Sequence, residues 1–166
     1  MDKPNPCLDA FKAIFRTHPA GVAVVTLNDG DRPCGFTATS VISVSVSPPV
    51  IVFSVQNSSS ILPALMNAES VVIHFLDECH EALARQFATP GVDRFSGRDW
   101  KRLQSGEPLL VGVESWARCT VIDRTQAGSS FLVQVQPENI TVGAGRTPII
   151  YHDRSFCRVA EMVSPR

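Results

Sequence analysis

Residues 21–27 read GVAVVTL, a β-branched run, and the turn chemistry of Asn28-Asp29-Gly30-Asp31 follows it at once. A strand-length apolar run that turns back this tightly is committed to antiparallel pairing. The first unit is therefore a hairpin, its return strand opening near Pro33. The same grammar recurs at residues 50–55, 71–76, 116–122, 131–136, 140–143, 149–151 and 156–159, each a short run bounded by turn residues. Val133 and Val135 alternate with Gln134 and Gln136, which predicts a half-buried strand, whereas 50–55 has almost no polar break and predicts a strand buried on both faces. Helical spacing is confined to Leu8, Phe11, Ile14 and Phe15 before Pro19, to a short stretch ending at Met66, and to residues 81–87. Residues 89–98, with Pro90, two glycines and mixed charges, read as a loop. Many short strands with few helices indicate a mainly β fold, a β-barrel with peripheral helices.

Composition removes whole classes of function. A formal net charge of −1, with no block of like charge, argues against nucleic acid or an anionic membrane as partner. The apolar runs are far too short to span a bilayer, and residues 1–10 lack the charged leader and apolar segment of a secretory signal. Five scattered cysteines without a CxxC pair read as free thiols, mostly small core fillers, in a reducing cytoplasm. His18, His74, His80 and His152 do not sit at metal spacing, and Cys79 and His80 are neighbours in sequence, so no metal site is expected. His74, inside an apolar run, reads as a hydrogen-bonded core histidine, and Phe15, Phe53, Trp100 and Trp116 read as core. Rossmann, P-loop and hydrolase-elbow motifs are absent.

Three segments could carry chemistry. Gly35-Phe36-Thr37-Ala38-Thr39-Ser40 places three hydroxyls and a glycine directly after the hairpin. Such a stretch can bracket the polar edge of a planar heterocycle, or simply be a Thr-rich strand facing water. Asn57-Ser58-Ser59-Ser60 precedes a short helix and offers donors to a phosphate, or plain N-caps. Arg94, in Asp93-Arg94-Phe95, could pair with phosphate or remain a solvated loop charge.

Read in order, these segments resemble the flavin reductase family. The run Phe15-Arg16-Thr17-His18-Pro19-Ala20-Gly21-Val22-Ala23-Val24-Val25-Thr26 is similar to its opening signature. GFTATSVISVSVSPPVIVFSV at 35–55 is similar to its flavin-contacting strand, hydroxyl-rich turn and paired prolines. Asn57 to Ser60, Phe87-Ala88, Arg94-Phe95, Trp100, Pro108-Leu109, Cys119 and the closing Thr147-Pro148-Ile149-Ile150-Tyr151 with Phe156 follow in family order. The likeness spans residues 8–160 as one domain, with 1–7 and 161–166 as tails.

The resemblance implies an FMN-binding split barrel, a homodimer with flavin at or near the subunit interface. It places Thr37, Ala38, Thr39 and Ser40 along the isoalloxazine and ribityl chain, and Asn57, Ser58, Ser59 and Ser60 near the phosphate, with Arg94 and Phe95 closing from the loop. The implied reaction passes hydride from NAD(P)H to FMN or FAD, with reduced flavin supplied to a flavin-dependent monooxygenase. Other outcomes on the same barrel are an FMN-dependent oxidoreductase acting on another small substrate and a flavin-binding protein without turnover. One departure stands out. Many members carry Gly-Asp-His before the late strand, near flavin and nicotinamide; here Gly128-Ser129-Ser130 stands there, without the histidine.

Overall fold

The computed structural model describes residues 6–145 and 147–159. In chain order these form α1 (Pro6–Thr17), β1 (Ala20–Gly21), β2 (Ala23–Asp29), β3 (Arg32–Ala38), β4 (Ile42–Val46), β5 (Pro49–Gln56), α2 (Leu62–Asn67) and β6 (Ser70–Phe75). A 3₁₀ turn (Glu78–His80) leads into α3 (Glu81–Ala88), then β7 (Trp100–Arg102), β8 (Pro108–Leu110), β9 (Ser115–Ala127), β10 (Ser130–Thr141), β11 (Ile149–His152) and β12 (Ser155–Arg158). Residues 1–5 and 160–166, and with them most of the expected tails and the last residue of the expected domain, lie outside the described residues.

The main sheet has seven strands in the order β3-β2-β6-β9-β10-β5-β4, each pair antiparallel. Its two edge strands, β3 and β4, are consecutive in sequence, so the sheet curls until its edges approach at residues 39–41. The barrel is split there. Ser40 fastens the gap, its Oγ accepting the Ser54 N–H of β5 at 2.9 Å. Inside the barrel, Ala23, Val25, Leu27, Phe36, Phe53, Leu65, Val71, Ile73, Ala117, Val133 and Val135 form one core. Outside it, Val22, Val24, Leu76, Leu83, Ala84, Phe87, Phe95, Leu110, Val113 and Ile149 form a second, under α3 and the β7–β8 pair.

That second layer decides which strands are buried twice. Residues 22–27 and 71–74 lose both faces to the two cores. The strand at 50–55 does not match its expected double burial: only Phe53 and Val55 are buried, because β5 lies next to an edge strand with no described helix over its outer face. The expected separate strands at 131–136 and 140–143 are one, β10, paired along β9 in a long hairpin. Pro137 is accommodated at a register shift between the two strands.

His74 behaves as its apolar surroundings demand. It is fully buried, lies 3.1 Å through Nδ1 from the Val24 carbonyl, and accepts the Leu110 N–H at Nε2 over 3.0 Å. With Nε2 accepting, the proton sits on Nδ1 and donates to Val24. Burial pushes its pKa down from 6.5 to about 4. Two expectations from sequence change. Phe15 is exposed, and so is the whole apolar face of α1, with Phe11 57% and Ile14 66% accessible. Of the five cysteines only Cys119 is fully buried, while Cys7 and Cys79 are exposed.

Candidate functional site

The hydroxyl-rich segment after the hairpin divides its tasks residue by residue. Alternation along β3 points Phe36 and Ala38 into the inner core and Thr37 outward, where its hydroxyl donates to the Ala84 carbonyl of α3 at 2.7 Å. Ser40 is the clamp already described. Thr39 and Ser40 then face a cavity of about 920 Å³ whose opposite wall is α1 with the β11–β12 turn. That wall brings Lys12, Arg16, His18, Tyr151 and Arg154 to one place, and Arg16 pairs with Asp153. Asp153 and Arg154 hold positive φ angles of 46° and 62°, the geometry of a tight hairpin turn usually filled by Asn or Gly. Cationic side chains around an aromatic ring suit a flat anionic ligand.

Ser60, Arg94 and Phe95 line a second cavity, about 760 Å³, beside Cys34, Gly35 and Trp100. Gly35 and Thr39, on the two cavities, are four residues apart, about 13 Å at ~3.3 Å per strand residue. Arg94 is fixed by its own chain, Nη1 donating to the Gly35 carbonyl at 2.6 Å and Nε to Thr89. Its partial burial lowers its pKa from the ordinary guanidinium value. Phe95 is buried edge-on against Phe87 and Trp100, so it holds the loop rather than presenting a free ring. Cys34 is no nucleophile here: burial, reinforced by Asp29, pushes its thiol up to about 11.

The serine run does not cap α2. The cap position is Ile61, without a side-chain cap bond, and Pro63 occupies the first turn. Among the described residues, the Asn57 amide and the hydroxyls of Ser58, Ser59 and Ser60 make no hydrogen bond to protein, so these donors remain for a ligand. The backbone of the run is nevertheless pinned. Asn57 N–H donates to Ser129 O at 2.9 Å, and Ser59 N–H to Gln56 O at 2.9 Å. The position where the family's histidine is missing thus abuts the segment assigned to phosphate. Sequence reasoning named Tyr151 only within the closing signature and did not single out Lys12 or Arg154, because nothing local in the sequence marks residues that meet only through the fold.

Residues 15–160 match the flavin reductase like domain. The chain belongs to this family. An NADH:FMN oxidoreductase from Rhodococcus erythropolis is 41% identical over 158 residues, covering 92% of this chain and 82% of that one. The flavin reductase domain protein of Arthrobacter sp. FB24 superposes with a TM-score of 0.89 at 34% identity, covering 94% of this chain and 98% of that one. The NADH:FAD oxidoreductase SgcE6 of Streptomyces globisporus C-1027, solved in complex with NAD and FAD fragments, gives a TM-score of 0.86 at 27% identity over 96% and 98% of the chains. The split barrel is therefore this flavin reductase family's fold, and the expected fold class stands.

Proposed function

We propose that this chain is an NAD(P)H-dependent flavin reductase that passes hydride from nicotinamide to FMN or FAD. The observation that carries the reading is the pinned Asn57–Ser60 run with unused donors, in a chain that matches flavin reductases over nearly its whole length. When bound, flavin supplies the redox chemistry, and the protein binds and orients it. Asn57, Ser58, Ser59 and Ser60 hold the phosphate, with Arg94 and Phe95 shaping the adjoining cavity wall. Each hydrogen bond to a charged phosphate contributes roughly 1.5–3 kcal/mol, so two or three suffice for useful affinity. Thr37 and Ala38 contribute backbone and shape, since the Thr37 hydroxyl is engaged and the Ala38 side chain is buried; Thr39 and Ser40 meet the isoalloxazine and ribityl chain. When bound, flavin and nicotinamide would be oriented by these residues, an effect that needs no protein acid or base and so does not require a histidine at Ser129-Ser130.

A second copy of this chain covers the exposed apolar face of α1 together with Ile42, Val44 and Val46 of β4, giving a homodimer. Residues 8–160 act as one domain in the cytoplasm, and reduced flavin passes to a flavin-dependent monooxygenase. No helix among the described residues is long and apolar enough to cross a membrane. The test is the loss of NADH absorbance under air, with and without added FMN or FAD. Flavin-dependent oxidation supports the reductase; oxidation that does not rise on adding either flavin overturns it.

A further inference from the structure

The turn between β6 and α3 gathers metal-ligating side chains that linear spacing does not reveal, and the flavin site uses none of them. Asp77 Oδ1 accepts the Cys79 N–H at 3.0 Å and lies 2.8 Å from both Cys79 Sγ and His80 Nδ1. Cys79 Sγ lies 3.8 Å from His80 Nε2, and one ligand atom from each of the three residues falls within 4.8 Å of the others. The side chains of Asp77 and His80 are only 15% and 12% accessible, while Cys79 opens on a small cleft beside Arg98 and Asp99. The backbone beneath is held in place: Asp77 bridges Pro148, and Glu78 N–H donates to Thr147 O at 2.9 Å.

A capping box accounts for part of this, with Asp77 at the cap and His80 at the third position. It does not account for the ring's other side, where Nε2 lies 3.2 Å from the Gly112 carbonyl oxygen. A neutral imidazole carries one proton between two nitrogens. Nδ1 lies 3.3 Å from the Asp77 N–H, the return bond of the capping box, but also 2.8 Å from the Asp77 carboxylate, while Nε2 faces the Gly112 carbonyl. Whichever nitrogen holds the single proton, the other's lone pair opposes an oxygen unless a second proton or a metal ion lies there. The thiol beside Nε2 favours the metal. Tetrahedral zinc, with Zn–S about 2.3 Å and Zn–N about 2.0 Å, separates such a ligand pair by roughly 3.5 Å, close to the observed spacing.

We propose that Asp77, Cys79 and His80 form a zinc-binding site. Cys79 Sγ and His80 Nε2 bind the ion, and the thiol proton leaves to solvent as the thiolate coordinates. Asp77 accepts the ring's Nδ1–H, which fixes the tautomer and balances charge, as carboxylates do behind metal-bound histidines. A thiolate with an imidazole suits zinc better than calcium or magnesium.

The experiment is a titration of the chelator-stripped protein with Co²⁺, then Zn²⁺, for wild type, Cys79→Ser and His80→Gln. Glutamine at the third position keeps the capping box while removing the ligand, so His80→Gln separates the two roles. The expected result is one equivalent of Co²⁺ with a thiolate charge-transfer band that Cys79→Ser abolishes. Zinc affinity should fall on the order of tenfold or more in His80→Gln, with little change in metal-free Tm. Absence of the band, or equal zinc affinity in all three proteins, overturns the site. A His80→Gln variant that loses metal-free Tm and binds zinc as before shows a structural cap only. None of these readouts depends on flavin turnover.

Discussion

Acidification should weaken this fold through His74 before it touches the reaction. In the folded chain the His74 pKa is pushed down to about 4, while the unfolded chain has the ordinary 6.5. Between those values the unfolded state binds a proton that the folded state refuses, so stability rises with pH across that window. The contribution is complete above about pH 6.5 and disappears as pH falls to about 4. At ~1.4 kcal/mol per pH unit, the whole effect is about 3 kcal/mol, a large part of a typical domain's 5–15 kcal/mol. The cause is burial in a site closed to water, and a protonated ring would also place a donor at Nε2 against the Leu110 N–H. The assay is urea unfolding at intervals from pH 7.5 to 4.5, for wild type and His74→Gln, whose amide can still bridge Val24 and Leu110. The difference between the two pH profiles isolates His74 from the carboxylates. Parallel profiles down to pH 5 would refute the reasoning.

Other perturbations test the remaining elements. Gly35→Ala would set a Cβ 2.7 Å from the Val25 carbonyl oxygen and 2.9 Å from the Phe87 ring, so it should cost about 1–3 kcal/mol, read as a lower Tm. Glu107 is buried at 2% exposure. Burial alone would raise its pKa, but hydrogen bonds from Ser105 and Ser70 and the charge of Arg118 outweigh this and hold it below the usual carboxylate value. Glu107→Ala strands those partners and should cost about 3 kcal/mol in denaturant unfolding. Replacing Ser58 and Ser59 together by alanine should weaken flavin binding by roughly 1.5–3 kcal/mol per lost contact while Tm holds, measured by fluorescence titration; unchanged affinity removes them from the phosphate site. Phe11→Asp with Ile14→Asp should give a monomer in sedimentation, whereas an unchanged mass would place the dimer contact elsewhere.

Legibility in the sequence followed the strength of local signals. The hairpin of β2 and β3 declares itself through a β-branched run and Asn-Asp-Gly, and the strand at 71–76 through an apolar run broken only by His74. The β7–β8 pair escapes because three-residue strands such as Trp100–Arg102 have no periodicity to detect. Strand β9 runs on through Asp123 and Arg124, which read as a break in isolation, because part of its hairpin projects into solvent where polar residues are normal. For the site, residue types were visible and their employment was not. Thr37 and Thr39 look alike in sequence, yet one bonds α3 and the other faces a cavity. The serine run looked like a helix cap, and only the placement of Ile61 at that position shows its hydroxyls unused.

Helix α1 turns an apolar stripe to solvent while Lys12 and Arg16 of the same helix wall the cavity that holds Thr39. In the proposed dimer with flavin in that cavity, one element would serve both self-association and ligand binding, and the two equilibria would be linked. Diluting the protein into the range where copies separate loosens that wall, so turnover per chain falls with dilution rather than staying constant. By reciprocity, a saturating ligand in that cavity must tighten the association of the copies by the same factor. On that proposal, protein concentration would set activity twice, once by number and once by the fraction assembled.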